Sequence, residues 1–155
     1  MRSIGVISDT HGLLRPQALA ALQGSALIIH AGDVGDPRIL KVLGEIAPVF
    51  AVRGNVDRGS WAKQLSEREI VQFEQQTLYV LHDLSELDLD PATAGFQAVI
   101  CGHSHEPKIE TTGNVLYFNP GSAGPRRFRL PITVGRLTVV EDRLQAQLIA
   151  LSSEP

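Results

Sequence analysis

Apolar runs separated by polar turns dominate the first third of the chain. Ser3-Ile4-Gly5-Val6-Ile7, Ala26-Leu27-Ile28-Ile29-His30-Ala31 and Val49-Phe50-Ala51-Val52 are short and almost continuously apolar, the pattern of strands buried on both faces. The spacing between them differs. Pro16 opens a helix whose apolar stripe is Ala18, Leu19 and Leu22, and Gly24 ends it. A second helix is expected from about Pro37 to Ile46, burying Ile39, Leu40, Val42, Leu43 and Ile46, with Pro48 beyond it. Strand, helix, strand, helix, strand with short connections predicts a parallel sheet with helices on both faces.

The pattern then turns antiparallel. Ile70–Phe73 and Thr77–Leu81 flank Glu74-Gln75-Gln76 as a hairpin, which delivers His82 at a strand end. Leu84–Ala94 predicts a short helix, interrupted or started at Pro91, and Ala98–Cys101 a buried strand. Thr112-Gly113-Asn114 is a turn between Lys108–Glu110 and Val115–Phe118, and Asn119-Pro120-Gly121-Ser122 is a loop. Ile132–Val140 and Leu144–Leu148 form a last hairpin, whose second strand alternates apolar and polar as in a sheet with one covered face. No repeat, linker or low-complexity stretch interrupts residues 1–155, so a single domain is expected, with a frayed end at Ser152–Pro155.

Composition narrows the class. At 155 residues, 43% hydrophobic and 20% charged, the chain has the balance of an ordinary soluble domain with a real core. The formal net charge of −3 provides no broad attraction to nucleic acid or to an anionic membrane. The one cysteine, Cys101, cannot form an intrachain disulfide and sits in an apolar run, as a small core residue would. The chain enters a strand at once, with no leader-like segment and no apolar run long enough to span a bilayer, so a cytoplasmic location is expected.

The chemistry collects just past the strands. Gly102-His103-Ser104-His105 follows the Ala98–Cys101 strand. Residues two apart in an extended chain point to the same side, so both imidazoles can enter one cavity. Asp9 and His11 repeat this spacing after the first strand, Asp33 follows the second, Asn55 the third, and His82 the hairpin. Each has an ordinary alternative: Asp9 and Asp33 as caps, Asn55 as a turn residue, the histidines as solvated loop groups. Capping alone does not explain their joint occurrence after successive strands, where open α/β sheets bind ligands. Seven ligands exceed the three or four protein groups of one open metal site and suit two metals that share a carboxylate. Imidazole and oxygen donors without thiolate favour Mn, Fe, Zn or a related ion.

Asp9-Thr10-His11, Gly32-Asp33, Gly54-Asn55-x-Asp57, His82 and Gly102-His103-Ser104-His105 resemble, in order, the motifs of the calcineurin-like metallophosphoesterases. The short chain, Val52-Arg53-Gly54-Asn55 and Asn119-Pro120-Gly121-Ser122 resemble its small bacterial and archaeal phosphodiesterase branch. The resemblance implies an α/β fold, a four-layer αββα sandwich of two mixed β-sheets flanked by helices. It implies one metal held by Asp9, His11, Asp33 and His105, and a second held by Asp33, Asn55, His82 and His103, with Asp33 bridging. The ions are expected to be Mn, with Ni, Zn, Fe or Mg as alternatives. Water activated by this pair would attack phosphorus in line, so no side chain is assigned as nucleophile, and Asn55 would also contact a phosphate oxygen.

One position departs from the wider family. Many members carry His after the Asn of the third motif, where it is thought to assist the leaving group. Val56 stands there and cannot move a proton, so esters with acidic leaving groups are the expected substrates. Asp57 orients a ligand or is a turn carboxylate, and Asp83 charges the pocket mouth or faces water. His30 is directed away from Asp33 by strand parity, as a structural residue would be. Arg126, Arg127 and Arg129 cluster after Gly121-Ser122. Arg127 is the candidate phosphate contact, and a solvated loop is the alternative. Trp61 stacks on substrate or packs on the core or an oligomer contact.

The expected activity is hydrolysis of a small phosphodiester. Phosphomonoester hydrolysis by the same site is the first alternative. A non-catalytic scaffold, as in family members with an incomplete metal site, is the second. All seven ligand positions are filled here. Few aromatics and the negative charge rank nucleic acid below small phosphoesters. No membrane partner is expected, and self-association is open.

Overall fold

The computed structural model describes residues 2–151, so the expected frayed end at Ser152–Pro155 lies outside them. Two five-stranded mixed sheets pack face to face. The first is built on β1 (Ser3–Ile7), β2 (Leu27–His30) and β3 (Val49–Ala51), which run parallel. β9 (Thr133–Val140) pairs antiparallel with β1, and β10 (Arg143–Ala150) pairs antiparallel with β9. Their order is β10-β9-β1-β2-β3.

In the second sheet β4 (Arg68–Phe73) and β5 (Gln76–Leu81) form the expected hairpin. β5, β6 (Ala98–Ile100) and β8 (Val115–Asn119) run parallel, and β7 (Lys108–Thr112) closes the far edge antiparallel to β8. The order is β4-β5-β6-β8-β7.

Strand alternation divides the apolar residues between faces. Ile4, Val6 and Ile29 of the first sheet meet Leu78, Val80, Ile100 and Phe118 of the second in the main core. On the other side of the first sheet, Ile7 and Ile28 pack against Ala18 and Leu22 of α1 (Pro16–Leu22) and Ile39 and Leu43 of α2 (Pro37–Gly44). Helices on both faces of this sheet were expected; both helices lie on one face, and the second sheet covers the other. Two successive right-handed crossovers stepping in the same direction, β1 to β2 to β3, put both helices on one side.

The outer layer over the second sheet is thin. The predicted helix over 84–94 is two pieces: a 3-10 turn, Leu84–Glu86, and α3 (Pro91–Ala94). Asp83 caps the first by accepting from the Ser85 amide, and Asp90 caps the second by accepting from the Ala92 amide. Gly95 ends α3 in the left-handed region, φ 87°. Leu87, Leu89 and Phe96 nevertheless seal this side, packing on Tyr79, Leu81 and Val99. The whole is the α/β sandwich with two mixed sheets.

The loops leaving β1, β2, β3, β5, β6 and β8 meet along one rim. The Gly102 amide donates to the His82 carbonyl at 3.0 Å, joining two loops of the second sheet, and the Ala123 amide donates to the Ser8 carbonyl at 3.1 Å, joining loops of the two sheets.

Candidate metal centre

Asp9 leaves β1 fully buried. Its Oδ2 accepts from the Ser8 hydroxyl at 2.8 Å and the His103 amide at 3.1 Å. Its Oδ1 is buried without a hydrogen-bond partner. That oxygen faces Nε2 of His105, His11 and His82 at 3.5, 3.7 and 3.9 Å. A buried carboxylate oxygen aimed at three imidazoles is an uncompensated arrangement unless a cation joins it.

Asp33 follows β2. Its Oδ1 accepts from the Val56 amide at 3.0 Å, while Oδ2 faces His82 Nε2 at 3.0 Å and His11 Nε2 at 3.6 Å. His82 Nδ1 lies 2.8 Å from the Ala31 carbonyl. A carbonyl only accepts, so Nδ1 carries the proton and neutral His82 turns the lone pair of Nε2 toward Asp33. His103 Nδ1 lies 3.2 Å from the side-chain oxygen of Asn55, which orients that ring.

Asp9, His11 and His105 form one group, and Asp33, His82 and His103 another, each with ligand atoms within 4.8 Å of one another. Nε2 of His11 and His105 are 3.3 Å apart, which places the two imidazoles of the first group side by side. Asn55 adjoins the second group through His103. Asp33 faces a histidine of each. The two-residue spacing works by a route other than the expected extended chain. Asp9, His11, Asp33, His103 and His105 all have left-handed backbone, φ 47° to 72°, and His103 and His105 serve different groups.

Charge follows geometry. The Asp9 carboxylate beside it, with Asp33 close by, raises the pKa of His11 against the effect of burial. Burial works against a charged His82, but Asp33 and Asp9 raise it overall. Burial also opposes ionisation of Asp33, yet His82 and the Val56 amide hold its carboxyl below the usual range. His105 is lowered by burial, with Arg127 contributing in the same direction.

A shell of buried groups fixes these loops. Asp57 is more than a turn carboxylate: it accepts from the amides of Gly54 (2.9 Å), Gly35 (2.9 Å) and Val34 (3.2 Å), tying the third loop to the second. His30, fully buried, accepts from the Gly32 amide at Nδ1 (3.1 Å). Its Nε2 therefore carries the proton and donates to the Thr10 hydroxyl (3.0 Å), which donates to the Val34 carbonyl (2.8 Å). Burial pushes the pKa of His30 down to about 4. Gly54 passes so close to Asp33 that a Cβ there would strike its amide nitrogen and Oδ1.

Sequence patterns did not single out Ser8, Thr10, Asn119 or Ser122 as site residues. The Asn119 amide group donates to the Gly102 carbonyl (3.0 Å) and the Ser104 hydroxyl (3.1 Å), and the Ser122 hydroxyl donates to the Asp9 carbonyl (3.1 Å). The Asn119–Ser122 loop was the available signal for the last two.

Other candidates separate clearly. Arg127 is exposed, but its charge reaches His105. Arg126 and Arg129 are exposed beside it. Trp61 packs against the helix-side core. Cys101 is buried, and burial pushes its thiol up to about 12, out of reach of nucleophilic use. Asp83 approaches His103 Nε2 at 3.7 Å and lies at the mouth of the site. No described helix is long and apolar enough to cross a membrane.

The comparisons agree with this geometry. A probable metallophosphoesterase of Methanocaldococcus jannaschii is 37% identical, over 96% of this chain and 81% of that protein. The phosphodiesterase YfcE of Escherichia coli is 29% identical, over 88% of each. The crystal structure of Vps29 from Chaetomium thermophilum superposes with a TM-score of 0.76 at 15% identity, covering 97% of each chain, and so shares the fold. The family model of the calcineurin-like phosphoesterase superfamily domain matches residues 1–142. That span contains every loop at the rim, and the donors gathered there suit divalent ions, so the chain belongs to the calcineurin-like phosphoesterase superfamily and is a metal-dependent phosphoesterase.

Proposed function

We propose that the protein is a phosphodiesterase that works through two divalent metal ions. The observation that carries the two-metal reading is the pair of acceptors His82 Nε2 and Asp33 Oδ2, 3.0 Å apart, beside a second group with the orphaned Asp9 Oδ1. Asp9, His11 and His105 would hold one ion, His82, His103 and Asn55 the other, and Asp33 would serve both. Bound there, the ions supply positive charge for the phosphoryl oxygens and lower the pKa of water to near neutrality. Mn is the expected ion, with Ni, Zn, Fe and Mg as alternatives.

The chain's own groups do the rest. The Ser8 hydroxyl and His103 amide keep the Asp9 carboxylate oriented. The Ala31 carbonyl fixes the tautomer of His82, leaving Nε2 as the ligand atom. Asn55 and Arg127 contact substrate oxygens, Arg127 from the exposed loop beside His105. The family supports a phosphoester substrate, and a small one is our reading.

The test is hydrolysis of an aryl phosphodiester by metal-stripped protein, with Mn, Ni, Zn, Fe or Mg restored singly and Asp33→Ala and His103→Ala run in parallel. Activity restored by metal and lost in both variants supports the assignment. Turnover of the matched monoester alone makes the protein a phosphomonoesterase. Bound metal without turnover of either makes it a scaffold of the same fold.

A further inference from the structure

The outer face of the second sheet is covered over only half its width. The 84–96 segment lies across β5 and β6, and its cluster reaches Val115 at the start of β8 and one side of Tyr117. Beyond it, β8 turns Tyr117 and Asn119 outward, and pairing with β7 sets Glu110 beside Tyr117 and Lys108 beside Asn119 on that face. An open groove of about 560 Å³ lies along this bare half. Cys101 and Tyr117 contribute to its lining, Asp83, Glu106, Lys108 and Glu110 add charge, and it reaches the metal-centre residue His103. It is therefore continuous with the place where phosphorus would sit.

Its charge is one-sided. Three carboxylates stand against one ammonium, and Lys108 Nζ is already 3.1 Å from Glu110 Oε2. Among the described residues, Asp83 and Glu106 have no Lys or Arg within ion-pair distance. An anionic substituent entering from the metal centre would meet these carboxylates. An ammonium group would find hydrogen-bond acceptors, and its apolar spacer would lie on the Tyr117 ring, whose face also attracts cations.

We propose that this groove is the subsite for one ester arm of the phosphodiester, and that the arm it takes carries an amine on an apolar spacer. The proposal rests on the phosphodiesterase reading for the word "ester", but the groove can be tested without turnover. Saturation-transfer NMR on zinc-loaded protein compares benzylammonium, benzyl alcohol and benzoate. The ammonium binds tightest and benzoate weakest, and Glu106→Gln with Glu110→Gln weakens benzylammonium about fivefold, the upper worth of an exposed charge pair. Circular dichroism and the melting temperature verify that the variant is folded.

Kinetics then use three diesters with one 4-nitrophenyl leaving group and a second arm of 3-aminopropyl, propyl or 2-carboxyethyl. KM rises in that order in the wild type, and the order collapses in the double variant. Equal binding of the three probes, or an arm order that survives both substitutions, overturns the groove assignment. If no diester turns over with any metal, the phosphodiesterase reading fails, and the NMR comparison alone decides whether the groove recognises amines.

Discussion

His82 Nε2 and Asp33 Oδ2 face each other at 3.0 Å while the proton of His82 is committed to the Ala31 carbonyl on the ring's other side. Only a cation or an added proton satisfies both atoms. Metal binding should therefore stabilise the fold as well as equip the site. With metal at a hundredfold excess over Kd, one site contributes about 2.7 kcal/mol, or roughly 5–10 °C in a domain of this size. Scanning calorimetry of chelated and metal-loaded protein measures this. Asp33→Asn should remove most of the shift without lowering the chelated protein's Tm, because an amide donor then faces His82 Nε2.

His30 gives the domain an acid-sensitive limb. Its pKa is about 4 in the fold, from burial, and about 6.5 in the unfolded chain. Between these values the unfolded state binds a proton that the native state refuses, so stability is full above pH 6.5 and falls as pH drops toward 4. The expected loss between pH 7.5 and 5 is about 2 kcal/mol. Urea denaturation at both pH values should show that His30→Asn lowers stability at pH 7.5 but loses about 2 kcal/mol less on acidification. Comparison with the variant removes the opposite contribution of His11 and His82, whose pKa values are raised.

Asp57 holds three amides from two ligand loops. Asp57→Ala leaves those donors without their charged acceptor and should cost about 3 kcal/mol in urea. Asp57→Asn keeps one oxygen and should fold better, yet metal affinity should fall about 10–100-fold, as for other groups that orient ligands. Metal titration of both variants reads the two effects separately.

Val56 places its amide on Asp33 Oδ1 and an exposed, 42% accessible isopropyl group at the mouth of the site. No proton donor stands there. Rates should fall steeply as the leaving group becomes more basic, so nitrophenyl diesters should far outrun alkyl ones. Val56→His should flatten that dependence. Comparable rates for aryl and alkyl diesters in the wild-type protein would refute the expectation.

Much of this architecture is written in the sequence. The continuous apolar runs of β1, β2 and β6 and the β4–β5 hairpin, whose turn is Glu74-Gln75 with Gln76 already in the strand, reveal themselves because burial and turn chemistry are local. The seven donors stand out because each follows a strand. The placement of α1 and α2 on one face does not show, since it depends on crossover direction. Nor does the clamp from His30 through Thr10 to Val34, which joins residues twenty or more apart in sequence. Strand parity directs His30 away from Asp33 but cannot reveal what its ring nitrogens touch. The short outer layer is equally hidden: Pro91 hints at a break, while the bare half of the second sheet depends on how far Leu87 and Leu89 reach.

The left-handed backbone at Asp9, His11, Asp33, His103 and His105 has a consequence for how such a centre tolerates change. Aspartate and histidine, with asparagine, are the non-glycine residues that enter this region most readily. The side chains that suit a divalent ion are thus also the ones that suit the bend that aims them. Alanine at these positions would lose the donor and keep the strain, whereas glycine would lose the donor and relax the chain. Glycine at these positions would therefore leave the metal-free rim less strained, yet unable to gain the stability that a bound ion adds. With these five residues in place, the rim is held at a conformational disadvantage relative to glycine.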